Sequence, residues 1–88
     1  MVNEALSGLT FRDVRPGMTV RILGVSGDTP ELRRLQELGL TPGTVFQVVR
    51  VAPLGDPVEI ALRGYRLCLR RSEASAFLLE SLNDPLTA

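Results

Sequence analysis

Apolar and polar positions alternate between Met18 and Ile22, with Met18, Val20 and Ile22 on one side and Thr19 and Arg21 on the other. Period two of this kind predicts a half-buried strand. Upstream, Arg15-Pro16-Gly17-Met18 has Pro and Gly where a type II turn needs them, and Thr10 with Asp13 forms a capping-type pair for one short turn. A second Pro-Gly turn, residues 41–44, leads into VFQVVRVA, residues 45–52. Phe46 and Val48 lie on one face of that stretch and Val45, Val49 and Val51 on the other, which predicts a strand covered on both sides.

The period changes between these two strands. Leu32, Leu35 and Leu38 recur at helical spacing, preceded by Thr29 as N-cap, Pro30 at the first helical position and Glu31 at the positive dipole end. Gly39 supplies a left-handed stop, and Leu40 can fold back on the stripe. A helix of roughly ten residues is too short to persist alone, so it is expected to lie on the sheet.

Residues 58–71, VEIALRGYRLCLRR, read as a hairpin. A Gly64-Tyr65 connection of type II′ would pair Leu62 with Leu67 and Ile60 with Leu69 on one face. The other face would then pair Arg63 with Arg66, Ala61 with Cys68 and Glu59 with Arg70. After a turn begun by Ser72, AFLLESL is read as a closing strand rather than an extension of that turn. The whole predicts a mainly β fold: a small SH3-like barrel of about five antiparallel strands with one short inserted α-helix. The domain is assigned to residues 10–82, with an N-terminal tail at 1–9 and a C-terminal tail at 83–88 that is expected to fray.

Composition narrows the chemistry. The 88 residues are 44% hydrophobic with a formal net charge of zero, which suits one domain and argues against bulk-charge binding to nucleic acid or membrane. The ten basic residues are all arginine, through base composition or for bidentate anion contacts. There is no histidine and one cysteine, Cys68. That removes the usual general base, the Ser-His and Cys-His pairs, any disulfide and the common zinc sets. The acidic residues lack a chelating spacing, and no phosphate-binding Gly-Lys-Ser/Thr loop is present. No run reaches the length of a membrane span, and the N-terminus lacks signal-peptide character. The expectation is a cytoplasmic protein without cofactor or direct membrane insertion.

Taken in order, RRLQELGLTPGTVFQVV and then APLGDPVEIALRGYRLCLRRSEA resemble the FeoA family, the small cytosolic companion of the bacterial ferrous iron transport system. The likeness runs from about Val14 to Leu79. It implies an SH3-like barrel, no catalysis, and association with FeoB, the membrane transporter whose cytosolic part contains a GTPase domain. The same domain shape recurs at the C-terminus of metal-dependent repressors.

Within that frame Asp56, between Gly55 and Pro57, reads as turn chemistry that bonds its own loop. Cys68 reads as a small filler or a redox-sensitive thiol. Arg63 and Arg66, with Arg70 and Arg71, form either a solvated strip or a contact for an acidic partner. Leu54, in the APLGDP loop, either tucks under the barrel or projects as an anchor. The candidate partner surface is therefore Leu54, Arg63, Tyr65 and Arg66, with Arg33 and Arg34 on the helix second. The expected partner is the cytoplasmic GTPase region of a FeoB-type transporter. The alternative is a small-barrel nucleic-acid-binding or metal-linked regulatory protein. An unpaired edge strand would permit weak self-association.

Overall fold

The computed structural model describes residues 8–83. Its elements are β1 (Thr19–Val25), α1 (Pro30–Glu37), β2 (Val45–Val51), β3 (Val58–Leu62), β4 (Tyr65–Leu69) and β5 (Phe77–Ser81). The five strands form one antiparallel sheet in the order β4-β3-β2-β1-β5. The fold is mainly β with one short helix, as expected. All five strands contribute their apolar face to a single buried cluster, so the sheet curls around its own core.

Residues outside the strands complete that core: Phe11 and Val14 before β1, Leu32 and Leu35 on the helix, Leu40 after it, and Ala74 before β5. Thr10 N–H donates to Asp13 Oδ2 at 2.9 Å, and Asp13 N–H returns to Thr10 O at 2.9 Å. This tight turn throws Phe11 inward, where its ring stacks on Phe46 at 5.4 Å between centroids and meets Phe77 edge-on at 6.2 Å. Val14 is buried beside it. The type II turn follows as expected, with Met18 N–H donating to Arg15 O at 3.2 Å and Gly17 at φ +92°.

The helix has eight residues rather than about ten. Thr29 caps it, its hydroxyl accepting from Leu32 N–H at 3.2 Å. At the other end Leu40 N–H donates to Leu35 O at 3.1 Å and Gly39 N–H to Gln36 O at 3.0 Å, the paired bonds of a Schellman ending. Leu32, Leu35 and Leu40 are buried, but Leu38 is not: the reversal at Gly39 sends Leu40 into the core and leaves Leu38 at the surface.

The hairpin register differs from the expectation. Arg63 and Gly64, not Gly64 and Tyr65, form the two-residue turn, and both have positive φ, 51° and 85°. Two left-handed residues make a type I′ turn, whose twist matches that of the strands it joins. Facing pairs are therefore Leu62 with Tyr65, Ala61 with Arg66, Ile60 with Leu67, Glu59 with Cys68 and Val58 with Leu69. The shift is by two residues, so every side chain keeps its face and only its partner changes. Arg63 does not face Arg66, and Glu59 bridges Arg66 at 3.2 Å and Arg50 at 3.4 Å rather than Arg70.

On β2 the expected double coverage fails at Val45, which is exposed, while Val49 and Val51 are half-buried. A register irregularity between Val48 and Arg50 turns Val51 toward the core. The strand β5 forms where expected. Of the two expected tails, residues 1–7 and 84–88 lie outside the described residues. Leu9 exchanges backbone hydrogen bonds with Leu79, and Asn83 binds Thr19 N–H and Gly17 O through its side chain.

Arg71 ties one end of the barrel together. It is half-buried rather than part of an exposed strip, and its guanidinium donates to Gly55 O at 2.6 Å, to Val14 O at 3.3 Å and to Phe11 O. Its own N–H donates to Asp56 Oδ1 at 2.9 Å, so Asp56 bonds the chain after β4 instead of its own loop. Removing the guanidinium leaves three carbonyls short of a donor. Arg71→Met is therefore expected to lower stability by about 2–3 kcal/mol in urea denaturation, with Arg71→Lys recovering less than half because an ammonium lacks the planar fork.

Gly39 makes a second, independent test. It sits at φ +120°, and a Cβ there would lie 3.0 Å from Tyr65 Oη and 3.3 Å from Leu62 Cδ1. Gly39→Ala is expected to cost about 2 kcal/mol. It should also change the native-state emission of Tyr65, the one tyrosine in a chain without tryptophan.

Candidate functional site

The expected contact residues fall into separate places. Leu54 projects from the β2–β3 loop with 97% of its surface exposed, so it does not tuck under the barrel. Arg63 and the hairpin turn lie at the other end of β3. Arg33 pairs with Asp28 at 3.1 Å, near the start of α1. Arg34 lies one helical turn before Leu38, on the same face as that exposed leucine.

Arg63, Tyr65 and Arg66 do come together. They border a shallow groove with Val45, Gln47, Ala61 and Leu62. The register explains the depression: Gln47, Ala61 and Arg66 stand side by side across β2, β3 and β4, and the small central side chain leaves a floor between two long ones. Val45 and Tyr65, both 43% exposed, supply apolar surface at its rim.

A polar knot holds this end in shape. Thr44 is buried, and its hydroxyl donates to Gly39 O at 3.0 Å. With its single proton used, it accepts from Thr41 Oγ1 at 3.0 Å and from the Arg63 guanidinium at 3.4 Å. The helix end, the Pro-Gly turn, the start of β2 and the hairpin tip thus meet at one side chain. Gly39, lacking a Cβ, lets the Tyr65 ring approach the same spot. Sequence reasoning missed Thr44, Val45 and Ala61. A threonine in a Pro-Gly turn looks like ordinary turn chemistry, and the other two look like strand filler until the neighbouring strands are in place.

The groove presents a ring, a small apolar floor and guanidinium groups to solvent. Among the described residues no group of three His, Cys, Asp or Glu side chains could hold a metal ion. Asp56 is occupied by Arg71 N–H, and Cys68 is exposed opposite Glu59. No helix among them is long and apolar enough to cross a membrane.

Comparison with known proteins agrees with this geometry. The FeoA domain model matches residues 9–81, beyond the residues that carried the resemblance at either end. A curated relative, the Fe(2+) transport protein A/Fe(2+) transporter FeoB fusion protein of Porphyromonas gingivalis, is 30% identical over 80 residues. That match covers 91% of this chain but only 10% of the relative, so the chain spans about a tenth of that protein's length. The solution structure of the FeoA-like protein of Clostridium acetobutylicum superposes with a TM-score of 0.80 at 33% identity, covering 89% of this chain and 91% of that one. A zinc complex of Stenotrophomonas maltophilia FeoA, an SH3 domain protein, superposes with a TM-score of 0.70 at 25% identity over 82% of this chain and 89% of that one. A family match across nearly all the described residues and an SH3-like barrel of the same build lead to one conclusion: this chain belongs to the FeoA domain family.

Proposed function

We propose that the protein is a non-catalytic interaction module of ferrous iron uptake that docks on the cytoplasmic GTPase region of a FeoB-type transporter and modulates transport. The observation that carries this is the fusion relative, in which an A-type and a B-type part share one polypeptide. Covalent linkage holds two parts at high effective concentration, an arrangement that favours parts working in contact. The groove at the hairpin end is the surface suited to such contact. It combines an exposed aromatic ring, a small apolar floor and arginines, the side-chain types that dominate binding energy at interfaces.

The primary contact is Arg63, Tyr65 and Arg66 with Val45, and Arg34 on the helix is a secondary position. Leu54 and Arg33 are set apart from this groove and serve as secondary positions. The sequence carries no phosphate-binding Gly-Lys-Ser/Thr loop, so in this reading nucleotide chemistry falls to the transporter.

The test is co-purification of the full chain with the transporter's cytosolic region, with and without a GTP analogue. Tyr65→Ala, and Arg63→Glu with Arg66→Glu, are each expected to weaken binding about tenfold or more, while Arg33→Glu changes it less than about threefold. Unchanged binding in both groove variants would remove this surface. Loss on Leu54→Asp instead would move the contact to the opposite end of β3.

A further inference from the structure

The two edges of the sheet are built differently. The β5 edge is covered: Leu79 N–H donates to Leu9 O at 2.8 Å and Leu9 N–H to Leu79 O at 3.2 Å. Its pairing with β1 is also broken by an irregularity between Ile22 and Gly24. The β4 edge has neither device. Its register with β3 is continuous, and among the described residues no turn, loop or cap bonds to the backbone of residues 65–69.

The type I′ turn tells which groups that edge presents. Leu62 and Tyr65 flank a two-residue turn and so exchange both backbone bonds, which aims Tyr65, Leu67 and Leu69 at β3. The intervening residues, Arg66 and Cys68, aim their N–H and C=O outward. The same alternation is fixed across the sheet, where Val48 N–H donates to Met18 O at 2.9 Å. The row ends at Arg70, whose N–H donates to Glu73 Oε1 and whose C=O accepts from Glu73 N–H.

Charge marks what this edge would accept. Arg66, Cys68 and Arg70 fall on one face by the period of two. The carboxylate on that face, Glu59, is already shared between Arg50 and Arg66, and Arg70 has no ion-pair partner among the described residues. A second copy of this chain fits poorly. Antiparallel pairing centred on Cys68 would set Arg66 against Arg70 of the other copy, and pairing centred on Arg66 would set two arginines together.

We propose that β4 is an acceptor edge for an extended acidic segment of a partner protein. That segment adds as a sixth strand on the backbone of Arg66 and Cys68, with its acidic side chains on the Arg66–Arg70 face. The inference deepens the docking reading, since the edge adjoins the hairpin groove, but it is tested without the transporter. The probe is a fluorescein-labelled peptide of alternating Glu and Val, about ten residues long.

Binding is read by polarisation at low salt, and amide protection is read residue by residue. The Glu peptide is expected to bind about tenfold tighter than its Lys counterpart and to protect the Arg66 and Cys68 amides. Cys68→Pro removes one outward donor without touching the β3 ladder, so it should weaken binding about tenfold, while Cys68→Ala stays within about twofold. Native-like spectra of Cys68→Pro confirm its fold, and Arg70→Glu gives the same loss without a proline. No binding up to millimolar peptide, equal binding of the Lys peptide, or protection elsewhere would overturn the proposal. So would amide protection at Arg66 and Cys68 that appears without peptide as protein concentration rises, which would assign the edge to self-association. Failure of co-purification with intact peptide binding would count against the transporter and leave the edge in place.

Discussion

Arg71 holds together what the sheet alone leaves open. A five-stranded antiparallel sheet supplies its own backbone partners along the strands, but the loops at one end bring three carbonyls together without three backbone donors. The guanidinium answers that need with donors spread over a rigid plane, reaching Phe11, Val14 and Gly55 at once. Phe11 then has a fixed position from which to stack on Phe46, and Asp56 is drawn to the Arg71 amide. Burial of a phenylalanine contributes about 2–3 kcal/mol, a large share of the stability of a domain this small. The clamp and the aromatic packing depend on each other.

The opposite end is organised by Thr44, and the consequence there is a surface rather than a core. Tethering Arg63 to a buried hydroxyl steadies a left-handed arginine at the hairpin tip, and the Gly39 reversal opens room for Tyr65. One end of the barrel therefore carries the cohesive contacts and the other the exposed mixture of ring, apolar floor and cations. The β4 edge runs between them, with its outward backbone groups beside that mixture.

Much of this was legible in the residues. The alternation at Val20 and Ile22, the Thr29 cap, both Pro-Gly turns and the two faces of the hairpin all follow from local rules, because each depends on neighbours within a few positions. The hairpin partners were misread because Arg63 gave no sign that it would accept positive φ, a conformation usually taken by Asn, Asp or Gly. Leu38 was misplaced for a similar reason: helical spacing says which side a residue faces, not where a reversal will cut the helix short. The candidate site was half legible. Arg63, Tyr65 and Arg66 are close in sequence and stay close in space, whereas Leu54 and Arg33 are separated from them by the length of β3 and by the Asp28 pair.

By itself the sequence determined the element types, the apolar faces and the family, since these rest on periodicity, turn chemistry and an ordered series of motifs. Only the tertiary structure decided what the arginines do. Chemically identical side chains became a clamp on three carbonyls, a tether on a buried hydroxyl, several ion pairs and, at Arg70, a cation beside an open strand with no ion-pair partner among the described residues. The reason is physical: a guanidinium reaches several ångströms from its Cα and binds whatever acceptors the fold brings there. Those acceptors, at Phe11, Gly55 and Thr44, come from parts of the chain that only folding places together.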